Sequence, residues 1–186
     1  LYRVQGRYAE AEPLYRRSLS IREQALGPEH LSVATSLNNL AAFYHVQGRY
    51  TEAEPLYRRT LVILEKSVGP EHQRVGFTLN NLAEVYRAQG RWEDAGRFCP
   101  QAIAIVEKNL GPNHPTVAGL LENYAVVLRR ARRDAEALEI DLRARDIRAG
   151  HAIQNPRRQQ AAHVLTGCSR GPRCEATPDA AGRREG

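Results

Sequence analysis

The sequence predicts an all-α solenoid of stacked helix–turn–helix repeats, and two observations carry the prediction. The first is a fixed period. Gln-Gly-Arg ends at Arg7, Arg49 and Arg91, 42 residues apart each time, while Gly-Pro-Glu-His begins at Gly27 and Gly69 and Gly-Pro-Asn-His at Gly111. Asn39, Asn81 and Asn123 hold one place in the same frame. A period of about 20 to 50 residues marks supersecondary units, each too small to bury its apolar face alone, so that neighbours share one continuous core. The second observation is that the apolar period inside the unit is helical. Val33, Leu37, Leu40, Ala41 and Tyr44 fall on one stripe at the roughly 100° per residue of an α-helix.

Taken in order, the chain opens at Leu1 inside the end of a first helix, followed by a whole second helix from about Tyr8 to Leu26. With no Met in the sequence, the expectation is a fragment of a longer array whose opening helix is uncovered on one side. Residues 31–68 form a complete unit. Its first helix ends at Gln47-Gly48-Arg49, where Gly48 suits the left-handed conformation that closes a helix. Thr51-Glu-Ala-Glu54 has the form of a capping box for the second helix, and Pro55 lies within about the first turn, where few N–H groups have partners to lose. Ala53, Leu56, Tyr57, Leu61 and Leu64 give this helix its own stripe, and Val68-Gly69-Pro70 stops it.

The next unit, 73–110, has its first helix near 74–88, but its second departs from the pattern. Cys99-Pro100 stands where Tyr15-Arg16 and Tyr57-Arg58 stood, and Gly96 replaces Glu12 and Glu54. A proline there removes the hydrogen bond to the Gly96 carbonyl and crowds it, costing about 3 kcal/mol, so the helix is expected to kink or restart. The last unit opens with His114-Pro115, Pro being favoured at the first helical position. Arg132 takes the place of Gly48 and Gly90 in its turn. A second helix over 135–149 carries more charge, as suits a terminal cap. After His151 the periodicity stops, and residues 152–186, rich in Arg, Gly, Pro, Gln and Ala, read as a disordered tail.

Leu37-x2-Leu40-Ala41-x2-Tyr44, followed by Ala53-x3-Tyr57, resembles the tetratricopeptide (TPR) signature, with Ala for Gly and Tyr for Phe at two places. The 42-residue period, the LNNLA and EAEPLY strings and the GPEH loop are similar to the kinesin-light-chain type of that family. The resemblance covers about residues 1–151. It implies a right-handed α-solenoid with a truncated first repeat, two full repeats and a C-terminal capping repeat, whose first helices line a concave groove that holds peptides or partner helices. No segment of the sequence identifies a kinesin.

Composition narrows the function classes. The net charge of +6 suggests nucleic acid at first sight. Residues 1–151 carry 21 Lys plus Arg against 18 Asp plus Glu, and residues 152–186 carry 6 against 3, so the array is nearly balanced. Three cysteines are too few for a disulfide framework and fit a reducing compartment. No apolar run approaches the roughly 18 to 20 residues of a membrane span. A cytoplasmic, non-membrane protein is expected.

Candidate binding residues lie on the first helices. Thr35, Asn39, Ala42 and Val46 centre opposite the apolar stripe at roughly 100° per residue, a pattern repeated by Phe77, Asn81, Glu84 and Ala88 and by Gly119, Asn123, Val126 and Arg130. Asn39, Asn81 and Asn123, with Asn38 and Asn80 beside them, are the groove candidates. An amide offers donor and acceptor together, so the row can hold an extended peptide backbone whatever its sequence. A second reading has the same residues bonding neighbouring helices to set the repeat angle. Arg3, His45, Arg87 and Arg129 form another row about 80° from the groove centre. They favour an acidic peptide or protein partner, or else form a solvated flank paired with acidic neighbours.

His30, His72 and His114 recur with the loop and read as structural. Cys168-x5-Cys174 lacks the usual zinc spacing, and His163 does not rescue it, so no metal or cofactor is expected. No P-loop, Gly-x-Ser-x-Gly or His-Glu-x-x-His string is present, and no catalytic residue is assigned. Arg129, Arg130, Arg132 and Arg133, with Arg157 and Arg158, form a basic cluster without the interleaved aromatics that stack bases. The sequence is thus read as a non-catalytic protein–protein interaction scaffold that binds a peptide or partner segment in its groove. The alternative is an interaction or sensor array of a larger signalling ATPase or regulator whose catalytic domain lies outside this sequence, and nucleic-acid binding stands third.

Overall fold

The computed structural model describes residues 8–154, which form seven α-helices: α1 Tyr8–Leu26, α2 Leu31–Val46, α3 Tyr50–Val68, α4 Gln73–Ala88, α5 Trp92–Leu110, α6 Pro115–Arg130 and α7 Asp134–Gln154. No strand occurs among the described residues. The architecture is an all-α helical repeat solenoid in which α2, α4 and α6 are the first helices of successive units and α1, α3, α5 and α7 the second. Arg3 and the expected tail at 152–186 lie outside the described residues, apart from the last turn of α7.

Each connection has a local cause. At the tight turns Gly48 and Gly90 take φ of 73° and 76°, and the N–H of the next residue closes back on the helix, from Arg49 to the Tyr44 carbonyl at 3.0 Å and from Arg91 to that of Tyr86 at 2.8 Å. The third turn keeps this bond, from Arg133 to the Leu128 carbonyl at 3.0 Å. There Arg132 must adopt φ 61°, a left-handed conformation that its Cβ opposes. At the longer loops the recurring histidine is a helix N-cap. Nδ1 of His30, His72 and His114 accepts the N–H of Ser32, Arg74 and Thr116 at 3.1, 3.1 and 3.2 Å, satisfying a donor that the helix start leaves unpaired.

Two local expectations do not hold. Thr51 does not cap α3, which already begins at Tyr50 with Arg49 as an N-cap that makes no side-chain bond. The Glu54 carboxylate needed for a capping box is instead bonded to Arg91 of the following unit. Nor does the helix restart at Pro100, since α5 runs unbroken from Trp92 to Leu110. Pro13, Pro55 and Pro100 all sit on exposed positions of their helices, where water can take up the carbonyl each leaves unpaired.

The core divides between the two ends of the helices. Toward the loops, Val33, Ala34, Leu37, Ile63, Leu64, Val75, Leu79, Val106, Val117 and Leu121 form one buried cluster that reaches Ala144 and Ile147 of α7. Toward the tight turns, Phe43, Tyr44, Tyr57 and Tyr86 form an aromatic cluster closed by small residues such as Ala53 and Ala95. Close approach is needed at Gly76, where a Cβ would meet Val106 Cγ2 at 2.9 Å and the Ala102 carbonyl at 3.3 Å. On α1, Leu14, Ile21 and Leu26 are about half exposed.

Because only Arg132 among the described non-glycine residues holds a left-handed φ, Arg132→Gly should raise stability by about 0.5 to 1 kcal/mol. A urea midpoint equal to or below that of the wild type would show that the Arg132 side chain compensates for its backbone.

Candidate functional site

On the first helices the amides form a ladder from unit to unit. Asn81 Nδ2 donates to Asn38 Oδ1 at 3.5 Å, and Asn123 Nδ2 donates to Asn80 Oδ1 at 3.5 Å and to Glu84 Oε1 at 2.8 Å. Asn80 also donates to Glu84, at 3.1 Å. Arg74 adds a parallel tie to Thr35 at 2.7 Å, and a small cleft of about 130 Å³ opens between units where Thr35, Asn38, Arg74, Phe77 and Asn81 meet. Asn39 is exposed, while the other four amides are half-buried. Where the ladder would continue, the sequence has Glu122, which takes a two-pronged ion pair from Arg148 of α7 at 2.5 and 2.6 Å. That guanidinium holds the Glu122 carboxyl below its usual range. Asn81 and Asn123 therefore do bond the neighbouring helix, yet the ladder engages one donor of Asn81 and one acceptor of Asn38, leaving the rest of each amide for other partners.

The members of the edge row have different surroundings. Arg129 is ion-paired to Asp141 of α7, and His45 packs against the Tyr50 ring at 5.6 Å between centroids. Arg87 is half-buried, and its Nε is buried without a hydrogen-bond partner among the described residues.

A third set of residues binds consecutive units at their tight-turn ends. Arg49 bridges Glu12 on α1, at 2.5 Å, and Glu52 at the start of its own helix. Tyr44 donates its hydroxyl to Glu12 at 3.0 Å and lays its ring 4.3 Å from the Arg49 guanidinium. One unit later Arg91 bridges Glu54 at 2.9 Å and Asp94 at 2.7 Å, with the Tyr86 hydroxyl on Glu54 at 3.1 Å and its ring again at 4.3 Å. Arg16 and Arg58 extend these clamps, each pairing with the glutamate four residues earlier. The Arg49 hydrogen bond is the largest influence on Glu12 and, with Tyr44 and Arg16, lowers its pKa to about 2 although partial burial acts the other way. Burial first, and the Glu12 hydrogen bond second, push the Tyr44 phenol up.

Three overlapping stretches, residues 1–66, 32–95 and 74–149, match the tetratricopeptide repeat family. The chain belongs to that family. Among solved structures, the TPR array is similar to BtubC (BKLC) from P. vanneervenii, with 24% identity, a TM-score of 0.73, and coverage of 98% of this chain and 67% of that one. It is also similar to a Podosopora anserina kinesin-light-chain candidate of nearly identical TPR-like repeats, with 25% identity, a TM-score of 0.70, and coverage of 89% and 87%. No curated protein sequence matches the chain. Among the described residues no helix is long and apolar enough to cross a membrane, and no three His, Cys, Asp or Glu side chains stand together to hold a metal. Cys168, Cys174, His163, Arg157 and Arg158 lie outside the described residues.

The sequence carries a signal for the clamps between TPR units that apolar periodicity does not reveal. Glu12 and Glu54, Tyr44 and Tyr86, and Arg49 and Arg91 each recur at 42 residues. A pH dependence follows from the first of them. A carboxyl lowered in the folded state from 4.5 to about 2 contributes stability that is fully present above about pH 4.5 and is lost as the pH falls toward 2. Glu12→Gln should therefore be less stable than the wild type at pH 6, with the gap narrowing by pH 2.5. Urea midpoints of the two proteins that stay equally far apart at both pH values would exclude this contribution.

Proposed function

We propose that the TPR array is a non-catalytic interaction module that holds an extended peptide or partner segment against the face built from α2, α4 and α6. Tetratricopeptide repeats are protein–protein interaction modules, and the observation that supports this particular face is the amide ladder. Its members are fixed to each other at one-unit intervals, so their remaining donors and acceptors are presented in a preset row. A peptide laid across them loses its own entropy but requires little reordering of the protein. Main-chain bonding of this kind supplies affinity without selecting a sequence. The cleft beside Thr35 and Phe77 offers a place for one side chain to be read.

Asn81 is the test of this reading, because it stands at the middle of the row. Losing one hydrogen-bonding side chain typically costs about 0.5 to 1.5 kcal/mol. Asn81→Ala should weaken a peptide selected from a random library against the wild-type array by roughly threefold to tenfold. Its own bond to Asn38 is long at 3.5 Å, so the melting temperature should hardly move. Unfolding of Asn81→Ala, with the affinity of the folded fraction intact, would make the row structural and remove the face assignment.

A further inference from the structure

The inter-unit clamp is built twice and then taken apart. In the frame of the repeat, Glu12 and Glu54 are followed by Gly96, Arg16 and Arg58 by Pro100, and Tyr44 and Tyr86 by Leu128. The bridging arginine persists with its own-helix partner: Arg133 pairs with Glu136 at 2.5 Å. Pro100 becomes intelligible in this light, since Arg16 and Arg58 pair with the very glutamate that Gly96 replaces.

In place of the lost glutamate the junction between α5 and α6 holds an open cleft of about 930 Å³. Gly96, Val127, Leu128 and Arg133 border it, which places it where Glu12 and Glu54 sit at the earlier junctions. Its remaining wall is cationic and aromatic. Arg91, Arg97, Arg130 and Arg133 line it against Glu93 and Asp94, Asp94 already being drawn to Arg91 at 2.7 Å and to Arg97 at 3.9 Å. Arg130 lies 5.4 Å from the centroid of the Trp92 ring. The lining comes from the turn ends of α5 and α6, not from the Asn ladder.

We propose that this cleft takes a carboxylate from a partner protein, an Asp or Glu side chain of an acidic segment, in the position that Glu12 and Glu54 fill at the first two junctions. The first two clamps show the geometry by which the bridging arginine receives such a group: a charge-assisted bond from a terminal guanidinium nitrogen while the rest of the fork stays on its own helix. Glu54 and Asp94 already take Arg91, whereas Arg133 gives Nε and one terminal nitrogen to Glu136, and its second terminal nitrogen is the group that favours an acidic occupant over a basic one. The half-buried ring of Trp92 gives the residue beside that carboxylate a surface to cover.

The chain's single tryptophan, Trp92, lies in the cleft and reports its occupancy. Tetraglutamate with both ends blocked, titrated at low salt, should change its emission saturably, and blocked tetraglutamine should not. Arg133→Gln should weaken tetraglutamate about tenfold or more, as expected for a bond to a charged group. Arg145→Gln, which removes the same charge from an exposed position on α7, should leave binding unchanged. Gly96→Glu should abolish binding by supplying the carboxylate from within. Its Cβ would meet nothing nearer than Val127 Cγ1 at 3.7 Å, and its melting curve shows whether it folds. No saturable change, equal binding of tetraglutamine, or equal weakening in Arg133→Gln and Arg145→Gln would overturn the proposal. So would a folded Gly96→Glu that binds like the wild type. If Gly96→Glu does not fold, the comparison of the two arginine variants decides. Asn81→Ala should bind tetraglutamate normally, so this site and the ladder face stand or fall separately.

Discussion

A one-dimensional array has no centre, and its order depends on what fixes each unit to the next. Here that is the guanidinium of Arg49, and again of Arg91, held between a carboxylate of the preceding second helix and one of its own. These pairs are partly exposed, and exposed ion pairs contribute about 0 to 1 kcal/mol. Burying Phe43, Tyr57 or Tyr86 contributes more, about 1.5 to 3 kcal/mol for a large side chain. The aromatic cluster therefore supplies the stability, and the clamp supplies the geometry. A guanidinium that must satisfy two carboxylates on different helices while lying over a tyrosine ring fixes the relative position of those helices, which non-directional apolar packing does not do.

Much of this was legible in the sequence, for a definite reason. Helix bounds follow from apolar spacing and from turns whose bonds lie within a few residues, and both are properties of contiguous chain. Gly48, Gly90 and the histidine caps belong to this class. The capping-box expectation failed for the opposite reason. Thr51 and Glu54 match a capping box locally, but Glu54 has a competing partner, Arg91, 37 residues away. The edge row was placed by angles measured around single helices. Such angles locate Arg129 relative to its own axis without showing that α7 brings Asp141 to it. Of the two readings left open for the Asn row, the bond to the neighbouring helix is realised at Asn81 and Asn123. Nothing in the sequence distinguishes an amide that uses one of its groups from one that uses all. The clamps were legible by a different route: asking which charged residues share the period, rather than which apolar ones do.

The ladder and the clamps also divide the labour of the repeat. Both run from unit to unit, one along the first helices and one across the tight-turn ends. A change of inter-unit angle must disturb both.

The dismantled third junction has a bearing on cooperativity. In a stack whose energy is a sum of unit terms and nearest-neighbour terms, the length that unfolds together is set by the coupling at each seam. The seam ahead of α6 keeps its amide ladder and its share of the loop-end core but lacks the glutamate, the arginine and the tyrosine of the other two. The seam ahead of α6 is thus coupled through fewer directional bonds than the two before it, although Arg143 of α7 still pairs with Glu107 of α5 at 2.6 Å. A stack with uniform seams melts as one body or frays evenly from both ends. This one has seams of unequal kind.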